Sequence, residues 1–123
     1  MRVFHFEEDG GLVLRHGWRA LTNQSANLGR SRMHSDWLPS MRYCVTGGNA
    51  KRICLWDLEA ERCVQKWPTF STSCVTAIRF ADRQPAASAT MPYAVLTGFA
   101  DGHVAMHDTR MPPEDSSISC FLP

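Results

Sequence analysis

A thirteen-residue pattern occurs twice in this chain, 51 residues apart, and it restricts the fold more than any other feature. Residues 45–57 laid over residues 96–108 put Val45 on Leu96, Thr46 on Thr97, Gly47 on Gly98 and Ile53 on Val104. Leu55 falls on Met106, Trp56 on His107 and Asp57 on Asp108. Three of these seven pairs are identities, and the apolar and turn columns agree as well. Within each copy the side chains alternate with a period of two, the signature of a strand. In Arg52-Ile53-Cys54-Leu55-Trp56-Asp57, Ile53 and Leu55 share one face while Cys54 and Trp56 share the other. Gly47-Gly48-Asn49-Ala50 and Gly98-Phe99-Ala100-Asp101-Gly102 supply residues that accept the positive φ of a tight hairpin turn. The repeated unit is therefore strand, glycine-containing turn, strand, Asp.

Further strands flank these units. Arg62-Cys63-Val64-Gln65-Lys66-Trp67 alternates until Pro68 stops it, and Cys74-Val75-Thr76-Ala77-Ile78-Arg79-Phe80 is rich in β-formers. No stretch of 12 or more residues between positions 43 and 110 keeps a 3.6-residue apolar period, so antiparallel meanders are expected. The unit resembles half of a four-stranded propeller blade. Residues 74–108 resemble strands a, b and c of a WD40 blade, and residues 43–67 resemble strands b, c and d of the blade before it. Leu55-Trp56-Asp57 carries the Trp-Asp signature itself. The predicted fold is all-β: a partial WD40-type β-propeller of about one and a half to two four-stranded blades. WD40 blades often hold an Asp in the b–c turn, bonded to a His, a Ser or Thr, and the Trp. Here Ala50 stands at that turn position in the first unit, and His107 stands in the Trp column of the second.

The expected division is a segment 1–14 with a possible first blade strand, a loop insert 15–41, blades over 42–111, and a tail 112–123. A blade takes about 40–45 residues, so 123 residues are too few for a closed propeller and read as a piece of a larger one. Hydrophobic residues at 44% and charged residues at 20% fit a packed domain, which excludes disorder throughout. A net charge of +1 excludes a strongly basic nucleic-acid binder. No apolar run is long enough for a membrane-spanning helix. Five cysteines, an odd number with no C-x-x-C pair, read as free thiols of a reducing compartment.

A longer order of residues is more distinctive than the blade pattern. Lys51-Arg52-Ile53-Cys54-Leu55-Trp56-Asp57 is followed by Cys63-Val64-Gln65-Lys66, Pro68-Thr69 and Ser73-Cys74-Val75-Thr76. Gly98-Phe99-Ala100-Asp101-Gly102-His103-Val104 and Asp108-Thr109-Arg110-Met111 complete it, and Gly10-Gly11-Leu12-Val13-Leu14 resembles the strand preceding these blades. This order resembles the C-terminal propeller of the Raptor family, the regulatory-associated proteins of the TOR kinase. The resemblance implies a non-catalytic scaffold of TOR complex one that recruits substrates to the kinase and couples growth to nutrients. It implies protein partners, no cofactor, and a cytoplasmic location with recruitment to the lysosomal surface. An alternative rests on Asp108-Thr109-Arg110: a Trp-Asp-x-Arg blade ending resembles the box of substrate receptors of cullin-type ubiquitin ligases, although His107 holds the Trp position here.

Candidate chemistry is sparse. His103 and His107 lie on one face of a predicted strand but about 13 Å apart along it, too far to share a metal ion. Asp57, Asp101 and Asp108 read as strand-end and turn residues rather than acid–base pairs. Cys74 has no fixed histidine partner and reads, with Cys44, Cys54 and Cys63, as a packing thiol. Arg15, Arg19, Arg30 and Arg32, interleaved with Trp18 and Trp37, form a thin patch that could meet RNA or an acidic protein surface but reads first as a solvated loop. No catalytic, cofactor-binding or metal-binding residue is expected.

Overall fold

The computed structural model describes residues 2–17, 33–38, 42–49, 52–69, 72–81, 93–115 and 117–121. The described secondary structure is entirely strand. β1 (Arg2–Phe6) and β2 (Leu12–Gly17) form an antiparallel hairpin. β3 (Met33–Leu38), β4 (Tyr43–Gly48), β5 (Arg52–Asp57) and β6 (Arg62–Pro68) form one four-stranded sheet in sequential order. β7 (Val75–Phe80), β8 (Ala94–Phe99), β9 (His103–Asp108) and β10 (Ser117–Phe121) form a second. All pairings within these sheets are antiparallel, as short connections between consecutive strands require. Each four-stranded meander is a propeller blade.

The period-two pattern decides which face each side chain takes. Val45 on β4 and Ile53 and Leu55 on β5 face the second blade. Trp67 on β6 joins them. They meet Val75, Ile78 and Phe80 of β7 and Val95 and Phe99 of β8 in one buried cluster. The alternate residues Cys44, Cys54 and Trp56, with Leu58, form a separate cluster on the opposite face, covered by Val3 of the hairpin. A fully buried aliphatic side chain contributes about 1.5–3 kcal/mol, so the facing sheets hold most of the apolar stabilisation. Gly47 lies on the same face as Val45. A Cβ there would come within 3.3 Å of Val75 Cγ1 and 3.5 Å of Ile78 Cδ1, so this glycine sets how closely β4 approaches β7.

Two strands lie where the sequence predicted none. β3 falls inside the expected loop insert 15–41, yet it pairs with β4 along its whole length, from Met33 opposite Gly48 to Leu38 opposite Tyr43. Its hydrophobic alternation is broken because one of its two buried positions is a carboxylate, Asp36, while the apolar Trp37 points to the other side. β10 falls inside the expected tail 112–123 and pairs with β9, from Ser117 opposite His107 to Phe121 opposite His103. It covers backbone groups of β9 that would otherwise be an open edge. β2 likewise runs to Gly17, past the boundary expected at residue 14. The remainder of the insert, residues 18–32 and 39–41, lies outside the described residues.

Asp36 ties the two blades at their inner strands. Its side chain is 3% exposed. Its Oδ2 accepts the backbone N–H of Phe80 at 2.9 Å, and Arg79 Nη1 donates to its Oδ1 at 3.3 Å. Near the other edge of the blade, Gln65 Nε2 donates to the Met111 carbonyl. Removing one partner of a buried hydrogen bond leaves the other unsatisfied, at a cost of about 1–3 kcal/mol. Asp36→Ala is therefore expected to lower unfolding stability by about 2 kcal/mol, whereas Asp36→Asn, which keeps an acceptor oxygen, loses less. Urea titration of both variants checks the order; equal losses would show that the Phe80 bond contributes little.

Candidate functional site

The carboxylates of the repeat close turns. Asp57 Oδ1 accepts the N–H groups of Glu59 and Ala60, each at 2.9 Å. Asp101 Oδ1 accepts the N–H of His103 at 3.1 Å, and its Oδ2 lies 3.1 Å from His103 Nδ1. Asp108 Oδ1 accepts the N–H of Arg110 at 2.9 Å. Each aspartate thus satisfies a backbone donor where a strand gives way to a turn. Arg110 folds back on the same carboxylate, with Nη2 at 2.6 Å from Asp108 Oδ2, and this pairing holds the Asp108 carboxyl below its ordinary value. The guanidinium also lies 4.8 Å from the centre of the Tyr93 ring. Arg110 is paired on one side and stacked on the other, with 63% of its side chain still exposed.

The Trp column differs between the blades in its partner. In the first, Trp56 Nε1 donates to Thr46 Oγ1 at 2.9 Å, so part of the polar network of such blades is present without a turn aspartate. In the second, His107 occupies that column, fully buried, with its ring 5.4 Å from the Trp67 ring and tilted by 34°. Burial lowers the His107 pKa from 6.5 to about 4, so the ring is neutral in the folded chain at physiological pH. It packs as an aromatic surface between blades. His103, on the same strand, is tied to the Asp101 turn instead. Among the described residues, no three His, Cys, Asp or Glu side chains come together as a metal site.

The thiols follow the same logic. Burial raises the Cys44 pKa to about 11, with Asp36 adding to the effect. Burial and the neighbouring Cys63 raise Cys54 to about 11. Neither carries the thiolate that nucleophilic chemistry needs. Cys74 is half-buried, less enclosed than its β-rich context suggested. The side chain of Cys120 lies outside the described residues.

One concave feature stands out on the surface. A cleft of about 350 Å³ lies between the hairpin and the first blade, lined by Val3, Phe4, His5 and Arg15 on one side and Trp37, Arg42, Leu58 and Glu59 on the other. On the blade wall, Arg42, which precedes β4, is tied to the β5–β6 turn. Arg42 holds φ at +57°, which turns its carbonyl to accept the Leu58 N–H at 3.0 Å, and its guanidinium pairs with Glu59. A non-glycine residue in this region costs about 1–2 kcal/mol, so the position of Arg42 is held by its surroundings. Arg15 and Trp37, two members of the arginine–tryptophan set of the expected insert, line this cleft. Arg19, Arg30, Arg32 and Trp18 lie outside the described residues. The basic and aromatic composition was visible in the sequence; that strands far apart in the chain bring Arg15 to Trp37 was not.

The two blades and the hairpin have close counterparts in solved structures. The crystal structure of Chaetomium thermophilum Raptor superimposes with a TM-score of 0.77 over 98% of this chain and 10% of that one, at 24% identity. "Regulatory-associated protein of TOR 1" of Arabidopsis thaliana is 34% identical over 77 residues, 63% of this chain and 5% of that protein. The chain thus resembles a segment of a Raptor propeller in both sequence and fold. "Target of rapamycin complex 1 subunit KOG1" of Saccharomyces cerevisiae is 28% identical over 101 residues, 82% of this chain and 6% of that protein. The segment thus spans about a twentieth of the length of these Raptor relatives. No family model matches it.

In this chain, His107 makes stability depend on pH. Its folded pKa of about 4 lies below the unfolded value of 6.5, so the unfolded chain binds the extra proton between these values. This contribution is complete above pH 6.5 and is lost as pH falls toward 4, by roughly 3 kcal/mol over the window. Urea midpoints measured between pH 7 and pH 4 should fall steeply for the native chain and less steeply for His107→Phe. Parallel curves for the two would assign the acid sensitivity elsewhere.

Proposed function

We propose that this segment belongs to a non-catalytic scaffold subunit of TOR complex one and supplies part of the propeller through which that subunit contacts other proteins. The observation that carries the reading is the joint match to Raptor in sequence and in blade geometry. The side chains support a binding role over a catalytic one: the aspartates close turns, His107 is buried and neutral, and the two most buried thiols are held protonated. Kinase chemistry belongs to the partner in this reading. Recruitment of substrates to the kinase, the link to nutrients, and a cytoplasmic location with recruitment to the lysosomal surface extend the same proposal. No helix of the described residues is long and apolar enough to cross a membrane.

The ubiquitin-ligase alternative rests on a Trp-Asp-x-Arg ending, and here the buried His107 stands in the Trp position ahead of Asp108 and Arg110. Affinity purification of the tagged chain from cells that produce it distinguishes the two. Recovery of the TOR kinase, in equal amounts with and without Arg110→Ala, is the expected result. Recovery of a cullin adaptor that disappears with Arg110→Ala would replace this reading with the other.

A further inference from the structure

We infer that Cys54 and Cys63 form a reversible dithiol–disulfide site in the first blade, oxidised by a hydroperoxide and closed as a cross-strand bridge between β5 and β6. Regular strand pairing does not set these residues opposite one another: Cys54 faces Lys66, and Cys63 faces Trp56. The register shifts between Leu55 and Trp56, so that Val64 has no opposite residue. A bulge of this kind re-aims the side chains beside it. Here Val64 is turned out to 48% exposure, while Cys63 packs against the cluster that holds Cys54 and Trp56. The two thiols are in hydrogen-bonding contact. Cys63 Sγ donates to the Gln65 carbonyl at 3.3 Å, which leaves its sulfur to accept from the Cys54 thiol.

The two sulfurs differ in access, and this orders the chemistry. Cys63 is half-buried, whereas Cys54 is 7% exposed, so Cys63 meets the oxidant first. Its thiolate attacks the peroxide: an S–O bond forms, the O–O bond breaks and hydroxide departs, leaving a sulfenic acid. The Cys54 sulfur then attacks that sulfur: the S–S bond forms, the S–O bond breaks and a second hydroxide departs. The protons given up by the two thiols convert both hydroxides to water. In sum, two thiols lose two electrons and one hydrogen peroxide is reduced to two waters. Lys66 and Arg52 lie close enough to Cys54 to favour its thiolate against the effect of burial. Contact between the sulfurs makes the second step intramolecular, which favours it over capture by an outside thiol. Cys44, the third thiol of the cluster, is directed elsewhere: its Sγ donates to the Val45 carbonyl at 3.8 Å, and it lies opposite Trp56. A dithiol reductant reverses the bridge by exchange at the more accessible Cys63 sulfur. Transient bridges are the form that disulfides take in reducing compartments. This one closes the β5–β6 turn, which Asp57 already caps, and clips the outer strand of the blade to its neighbour.

The test treats the whole chain with equimolar hydrogen peroxide, blocks the remaining thiols with iodoacetamide and digests with trypsin without reduction, for mass spectrometry. Cleavage after Arg42, Lys51, Arg52, Arg62 and Lys66 puts Cys44, Cys54 and Cys63 on separate peptides, 43–51, 53–62 and 63–66. The expected product is 53–62 joined to 63–66, lighter than the two peptides by two hydrogens, formed in the same yield on dilution and released by dithiothreitol. Cys63→Ser should lose the bridge and Cys44→Ser should keep it, with circular dichroism showing both variants folded. If Cys63→Ser does not fold, the peptide map of the native chain decides alone. A bridge from 43–51 to 53–62, Cys63 carried on to sulfinic acid with Cys54 still open to alkylation, or a yield that falls with dilution would overturn the proposal.

Discussion

The contact of one four-stranded sheet face against the next governs this structure. A blade sheet has two apolar faces, and neither can be left in water without losing the energy that holds it together. Val45, Ile53, Leu55 and Trp67 are covered by Val75, Ile78, Phe80, Val95 and Phe99, while the opposite face of the first blade is covered by the hairpin. The close approach of β4 to β7 at Gly47, the carboxylate of Asp36 on the Phe80 N–H and the packing of His107 on Trp67 all follow from bringing these faces together.

Polar groups then fix how the faces meet. Apolar contact alone tolerates sliding of one sheet over another. Asp36 at the inner strands and Gln65 near the outer edge each define one position, because each reaches a backbone group of the neighbouring blade or of the loop following β9. The aspartates at the ends of β5 and β9 and in the β8–β9 turn act locally, ending strands cleanly so that the faces keep their register.

Much of this was legible in the sequence where a strand has alternating apolar residues. The repeat of 45–57 at 96–108 marked β4, β5, β8 and β9, alternation up to Pro68 marked β6, and a run of β-formers marked β7. β3 and β10 were not legible, for different physical reasons. β3 buries a carboxylate at the position where the pattern demands a hydrophobe, and only the Phe80 N–H of the next blade explains it. β10 is a short strand whose pairing with β9 is a tertiary fact with little local signal. The cleft was only partly legible: the arginines and tryptophans of the insert read first as a solvated loop that could meet RNA or an acidic protein surface, and Phe4 and Leu58 come from elements the sequence did not connect to them.

The thiols on the hairpin side of the first blade have a consequence for measuring motion. Cys44 and Cys54 are closed in beneath Val3 and Leu58, and their raised pKa values keep them protonated while they are covered. If the hairpin lifts, both become accessible and return toward ordinary acidity, so the rate at which an alkylating reagent labels them reads how often this layer opens. The blade thus carries an intrinsic gauge of its own breathing, on the face that also forms one wall of the cleft.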